Sequence, residues 1–272
     1  MKNFLLSFPR LTIALTVPEE LAADTQRTFF HATRPWRDAP SHQTYVLRPT
    51  SDGFSLLKNG RLSGQSGSAI EALCRIEEEI ENELVRAVGD WVAFHAGAVE
   101  IDGGACLIAG DPDAGKTTTT LHMIEMGATF LCEEVAPVNP TTPLVHPYPQ
   151  VLTLSRIYAE EYLALYPFRN GELMIVDAQT ARYHPFEAAS GPVPLKTILI
   201  PGYDPLATLR AEELLPADVF TELLGYCFPP NGDHERLFDS VIRICEEARI
   251  FRIRAASIRS MRECLKEIFG LK

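Results

Sequence analysis

Apolar residues recur at spacings of three and four through Ile70, Leu73, Ile76, Ile80, Leu84 and Val88, a pattern that predicts an amphipathic helix. Ser68 and Glu71 stand at capping-box spacing ahead of it, and Gly89 supplies its stop. Before this helix the pattern changes. The runs "LTIALTV", "TYVLRP" and "FSLL" are rich in β-branched and large apolar residues and predict short strands. Asn-Gly inside Lys58–Arg61 predicts a hairpin turn, while Pro9, Pro18, Pro35, Pro40 and Pro49 keep the strands short. Residues 1–64 are therefore expected to form a small β-rich N-terminal region, followed by a domain over 65–272.

From residue 90 the apolar pattern alternates between short runs and longer periodic ones. "WVAFHAGAVEIDGGACLIAG" predicts two strands joined at Asp102-Gly103-Gly104 as a hairpin. A helix is predicted from Gly115 to Met126, closed by Gly127, and then one strand, "TFLCEEVAPV". Beyond Pro140 the pattern weakens. "NPTTPLVHPYPQ" predicts loop, "VLTLS" and "LKTILIPGY" predict strands, and "PADVFTELLGYCF" predicts a helix. "FRIRAAS" alternates like a strand ahead of a last helix, "SIRSMRECLKEIF". The fold class expected is α/β with a mixed sheet.

Composition narrows the functional classes. A formal net charge of −11 argues against nucleic acid or an anionic membrane as partner. Arg249, Arg252, Arg254, Arg259 and Arg262 form a locally basic C-terminal stretch that reads as a solvated face. The six cysteines stand singly, with no C-x-x-C, which points to a reducing compartment and no zinc site. Pro9 and Arg10 interrupt the N-terminal apolar run, making it a poor signal peptide, and no apolar run reaches the ~20 residues of a membrane span. A cytoplasmic location is expected, and homo-oligomerisation is left open.

The candidate chemistry lies in Gly110-Asp111-Pro112-Asp113-Ala114-Gly115-Lys116-Thr117, which matches G-x-x-x-x-G-K-[ST] at each fixed position. Chance gives such a match in roughly one chain in a hundred of this length. A strand before it and a helix after it are what a phosphate cradle requires. Main-chain amides through Thr118 would wrap the phosphates, Lys116 would reach the β/γ oxygens, and Thr117 would ligate Mg²⁺. Asp111 with Pro112 favours a turn, and Asp113 tolerates a left-handed conformation. Both aspartates put negative charge beside anionic phosphates, which a cation or a partner's arginine would offset. Phosphoryl transfer also needs further acids. Glu133 and Glu134 end the next strand, on opposite faces if that strand is extended. His95 lies on the strand leading into the hairpin.

The order of these pieces in "FHAGAVEIDGGACLIAGDPDAGKTTTTLHMIEMGATFLCEEVAPV" resembles the HPr serine kinase/phosphorylase family. The likeness covers residues 93–138. It implies the P-loop mixed sheet of the HPr kinase and phosphoenolpyruvate carboxykinase type. It also implies that His95 lies near the transferred phosphoryl group, with Glu133 as base on an acceptor serine and Glu134 as its neighbour on the metal side. The acidic pair is Glu-Glu where the family usually carries Asp-Asp or Asp-Glu, and the family's later glycine-rich segment is not found. The likeness therefore points to divergent HPr-kinase-related proteins, some of which phosphorylate precursor peptides. His146–Ser155, "HPYPQVLTLS", is a candidate for the acceptor side.

The function expected is an ATP- and Mg²⁺-dependent kinase acting on a serine or other hydroxyl of a peptide or protein. A nucleotide-binding sensor without turnover and a small-molecule kinase stand as alternatives.

Overall fold

The computed structural model describes residues 1–29, 31–36, 40–208, 210–228 and 234–271. The chain forms two compact units, Met1–Gly89 and Asp90–Lys272.

In the first unit the strands are β1 (Lys2–Phe8), β2 (Leu11–Val17), β3 (Thr33–Arg34), β4 (Gln43–Thr50), β5 (Gly53–Lys58) and β6 (Arg61–Ser66). They make one sheet in the order β3-β1-β2-β4-β5-β6. A single 3₁₀ turn, Glu19–Leu21, and helix α1 (Ala22–Thr28) fall between β2 and β3. The Asn-Gly signal marks the β5–β6 turn, where Asn59 and Gly60 both have positive φ, 49° and 79°. Alternate residues of β2, Leu11, Ile13, Leu15 and Val17, are buried. Helix α2 (Ala69–Ala87) lies against β2, β5 and β6 and buries Leu73, Ile76, Ile80 and Leu84, roughly 1.5–3 kcal/mol for each side chain. Ile70, counted in the predicted stripe, is exposed in the first turn. The Ser68 hydroxyl accepts from the Glu71 amide at 3.3 Å, while Glu71 accepts from the Gly67 amide at 2.8 Å. The predicted boundary at residue 64 is therefore displaced: the apolar stripe of α2 covers the N-terminal sheet, and the unit closes after Gly89.

The second unit begins with β7 (Val92–Ile101), β8 (Gly104–Ala109), α3 (Lys116–Glu125), β9 (Thr129–Cys132), β10 (Val135–Asn139) and β11 (Leu144–Val145). It continues with β12 (Leu152–Ser155), α4 (Arg156–Leu165), β13 (Gly171–Ile175), β14 (Thr180–Pro185), β15 (Val193–Tyr203) and β16 (Arg210–Leu214). Helices α5 (Pro216–Gly225) and α6 (His234–Glu247), strand β17 (Arg249–Ala255) and helix α7 (Ile258–Phe269) complete it. The main sheet runs β11-β10-β7-β8-β15-β17-β16, with β9 also paired to β7 and β11 also paired to β15. It is mixed: β7–β8 is an antiparallel hairpin, whereas β8–β15 and β15–β17 are parallel. A separate antiparallel sheet has the order β12-β14-β13.

Asp102 and Gly103 at the β7–β8 turn have φ of 51° and 72°, the left-handed pair that a two-residue hairpin loop needs. β8 is buried throughout, as a strand between two partners should be. It delivers the chain to Gly110 at the head of α3. One expectation fails here: "TFLCEEVAPV" is two strands. Glu134 has φ 61°, and the Val135 amide donates to the Glu133 carbonyl at 2.7 Å, a three-residue turn that breaks the run. β9 and β10 then pair with successive stretches of the same edge of β7. The basic C-terminal stretch is largely partnered within the chain: Arg249 binds Glu213 at 2.8 Å, Arg252 binds Glu222, and Arg262 lies over the Tyr166 ring.

Among the described residues no helix is long and apolar enough to cross a membrane. All six cysteines are thiols. Burial raises the pKa of Cys106 and Cys132, which suits cysteines acting as small core hydrophobes.

Candidate active site

The loop between β8 and α3 is shaped by two left-handed residues, Asp113 at φ 62° and Gly115 at φ 97°. The Ala114 amide closes a turn onto the Asp111 carbonyl at 3.1 Å. Gly115 is the N-cap of α3 and offers no side chain, so no side-chain cap occupies the first-turn amides. Lys116 is buried and its Nζ donates to the carbonyls of Gly110 and Asp111 at 3.0 and 3.1 Å, folding the ammonium over the loop. Four threonines in a row are poor helix formers, and here each hydroxyl is used. Thr118 and Thr119 donate to the Gly115 carbonyl, both at 2.8 Å, and Thr120 donates to the Lys116 carbonyl at 3.0 Å. The Thr117 hydroxyl instead reaches across to Glu133 Oε1 at 2.5 Å.

The turn between β9 and β10 separates the two glutamates. Glu133 points inward and is 3% exposed, beneath Thr117. Its Oε2 has no hydrogen-bond partner among the described residues; Thr120 stands close, but its proton goes to the Lys116 carbonyl. Burial pushes the Glu133 carboxyl up to about 8. The charge of Glu134 adds to the rise, and the Thr117 hydroxyl and Lys116 oppose it. Gly97 on β7 makes room for this arrangement: a Cβ there would lie 2.3 Å from the Thr120 hydroxyl and 3.0 Å from Glu133 Oε2.

Glu134 points the other way. Its Oε2 lies 2.7 Å from His95 Nε2, with the two side chains 46% and 38% exposed. That hydrogen bond holds the Glu134 carboxyl below its ordinary range, against a smaller opposing effect of burial. His95 is fixed by its backbone: its amide donates to the Tyr226 carbonyl at 2.7 Å, and it pairs with Val135 across β10. The Phe228 ring stands 5.8 Å from the imidazole.

These groups meet around one cavity of about 530 Å³, lined by His95, Glu134, Pro112, Asp113 and Gly115 to Thr118. Thr153, Leu154 and Ser155 complete the wall with Tyr158, so the last residues of the 146–155 stretch do border the site. A smaller cavity of about 380 Å³ lies against the other flank of the loop, where Asp111 and Asp113 share the walls with Arg252 and Arg254. Both arginines come from β17 of the same chain, and Arg252 is bound to Glu222.

The residues singled out in the sequence thus come together, with one reversal. Glu133, expected at the acceptor, lies under Thr117, whereas Glu134, expected on the metal side, lines the cavity with His95. The roles came from the family resemblance; the opposite directions expected of the two acids are found, set by the three-residue turn at Glu134 where an extended strand was expected. Sequence reasoning missed Gly97, Thr120 and Tyr158. An isolated glycine within a strand pattern marks close approach, and Gly97 carried that signal. Tyr158 carried none, because α4 was not expected.

No protein-family model and no curated protein sequence matches the chain. Among solved structures, the Hpr(Ser) kinase/phosphatase from Coxiella burnetii is similar with a TM-score of 0.29 and 12% identity, over 65% of this chain and 95% of that one. This likeness is weak and fold-level, and the assignment of chemistry rests on the residues of the site.

Proposed function

We propose that this chain is an ATP- and Mg²⁺-dependent kinase that transfers the γ-phosphoryl group to a hydroxyl, with a serine of a peptide or protein as acceptor. The observation that carries the reading is one cavity lined both by Lys116, Thr117 and Thr118 and by the His95–Glu134 pair. The loop donors take phosphate in this reading, and the hydrogen-bonded carboxylate of Glu134 borders the same space.

In this reading the amides of residues 113–118 hold the phosphates and Lys116 moves from the loop carbonyls to the β/γ oxygens. Thr117 and Glu133 supply the hard oxygen donors that would hold Mg²⁺. Among the described residues no cluster of three or more His, Cys, Asp or Glu could hold a metal by itself. Such a cluster is not required, because Mg²⁺ keeps several waters and takes one or two protein oxygens beside the phosphates. When bound, the cation neutralises charge on the transferring group. The acceptor hydroxyl lies against Glu134. As its oxygen bonds to the γ-phosphorus, the bond to the β,γ-bridging oxygen breaks toward ADP, and the hydroxyl proton passes to Glu134. His95 orients that carboxylate through the 2.7 Å hydrogen bond. The roles of Glu133 and Glu134 are thus exchanged relative to those implied by family resemblance.

The test is transfer from γ-labelled ATP in an extract of the source cells, comparing wild type with Lys116→Ala. Label on a peptide or protein band, lost in the variant by at least ~10²-fold, supports the proposal. Label on a metabolite indicates a small-molecule kinase. No label, with ATP still raising the melting temperature of wild type, indicates a sensor.

A further inference from the structure

A second cavity, of about 670 Å³, adjoins the first, and the two share Gly115, Thr118 and Tyr158. Its walls are chemically unlike those of the reactive cavity. Ala164 and Leu165 of α4 and Met261 of α7 line it, Glu161 and Arg259 are its charged members, and Tyr203 stands beside it two-thirds exposed. His122 contributes no charge there. It is fully buried, its Nε2 lies 3.2 Å from the Tyr158 hydroxyl, and burial lowers its pKa to about 3, so the ring is neutral at physiological pH.

Gly115, Thr118 and His122 are spaced three and four apart and share one face of α3. The second cavity therefore extends along this face of the helix from the loop, and Glu134 belongs to the lining of the first cavity alone of the two. A nucleoside triphosphate needs two contiguous spaces of opposite character, one rich in donors for the polyanionic tail and one apolar for the planar head. The flank bearing Asp111 and Asp113 suits the head less well: its cavity is smaller, about 380 Å³, and five of its lining residues, Asp111, Asp113, Glu222, Arg252 and Arg254, are charged, against Glu161 and Arg259 in the larger one. The larger cavity has the size and the predominantly apolar lining of a small-molecule site.

We infer that the nucleoside occupies this second cavity, with a purine-sized ring against the apolar wall beside Tyr203 and the phosphates passing Thr118 into the loop. The inference rests on the triphosphate reading above and adds where the head group is recognised.

Titration calorimetry of the full chain with Mg²⁺-ATP and with Mg²⁺-tripolyphosphate tests it. ATP should bind at least about tenfold more tightly, a difference of ~1.4 kcal/mol. Ala164→Trp, which fills the cavity, should erase that preference and leave tripolyphosphate affinity unchanged. Tyr203→Ala, which trims an exposed ring and does not burden folding, should shrink it in the same selective way. Equal affinity of wild type for both ligands, or variants that weaken both alike, would overturn the nucleoside site while the phosphate-loop reading stands. Binding of neither ligand would overturn both.

Discussion

Glu133 and Glu134 are neighbours in sequence and opposites in surroundings. On the inner side of the β9–β10 turn, Glu133 is enclosed by α3 and Gly97, receives one hydroxyl proton from Thr117, and has its carboxyl pushed toward the neutral form. On the outer side, Glu134 is half-exposed, bonded to His95, and held toward the charged form. One left-handed residue produces the contrast. Had the strand run straight through, the two carboxylates would have been set by alternation alone, and neither the Thr117 contact nor the His95 contact would follow from it.

The largest expected effect comes from breaking the outer side. Glu134→Gln should lower transfer about 10²–10⁴-fold, the usual range for a lost general base, and leave ATP affinity within a few-fold. Steady-state rates and calorimetry on the same preparation would show this. An unimpaired Glu134→Gln together with a dead Glu133→Gln would reverse the comparison and restore the assignment implied by family resemblance.

The inner side is probed through pH. An acid whose folded pKa lies above its unfolded value holds more protons folded than unfolded between those values, so stability falls as pH rises through that window. For Glu133 the window runs from about 4.5 to about 8. Without Mg²⁺ or nucleotide, urea unfolding of wild type should weaken across it relative to Glu133→Gln, with a differential slope of up to ~1.4 kcal/mol per pH unit. Parallel pH profiles for the two proteins would mean that Glu133 ionises freely in the fold.

The smallest effect tests the close approach that creates the inner side. Gly97→Ala forces a methyl against the Thr120 hydroxyl and Glu133 Oε2, and overpacking of this kind costs about 1–3 kcal/mol. The urea midpoint should drop accordingly. An unchanged midpoint would show that α3 and β7 have slack there.

Much of this was legible in the residues. The Asp102-Gly103 turn, the loop from Gly110 to Thr117, the extent of α3 and the left-handed Asp113 all follow from local rules about glycine, aspartate and apolar spacing. The strand of β17 and the serine-capped α7 followed from alternation and periodicity in the same way. What was not legible depended on tertiary contact. The turn at Glu134 is adopted by a residue with no preference for it, inside a run whose composition says strand. The α4 segment, which brings Tyr158 to the site, was hidden because apolar Ile157 and Leu163 are exposed and blur its periodicity. The boundary after α2 was misjudged because a helix pattern does not say which sheet it covers.

The pairing order of the main sheet has a consequence for synthesis. Every residue lining the cavity beside the loop lies between His95 and Tyr158, so a growing chain carries the full set once α4 has emerged. Yet one edge of β8, the strand that launches the loop, pairs with β15, and β15 in turn with β17, about 140 residues beyond β8. The carbonyl that fixes the His95 amide also belongs to Tyr226. Parallel pairings this distant form slowly and cannot precede their last strand. A ribosome-bound fragment ending after α4 would therefore hold every residue that lines this cavity and lack the sheet that aligns them until β17 has emerged.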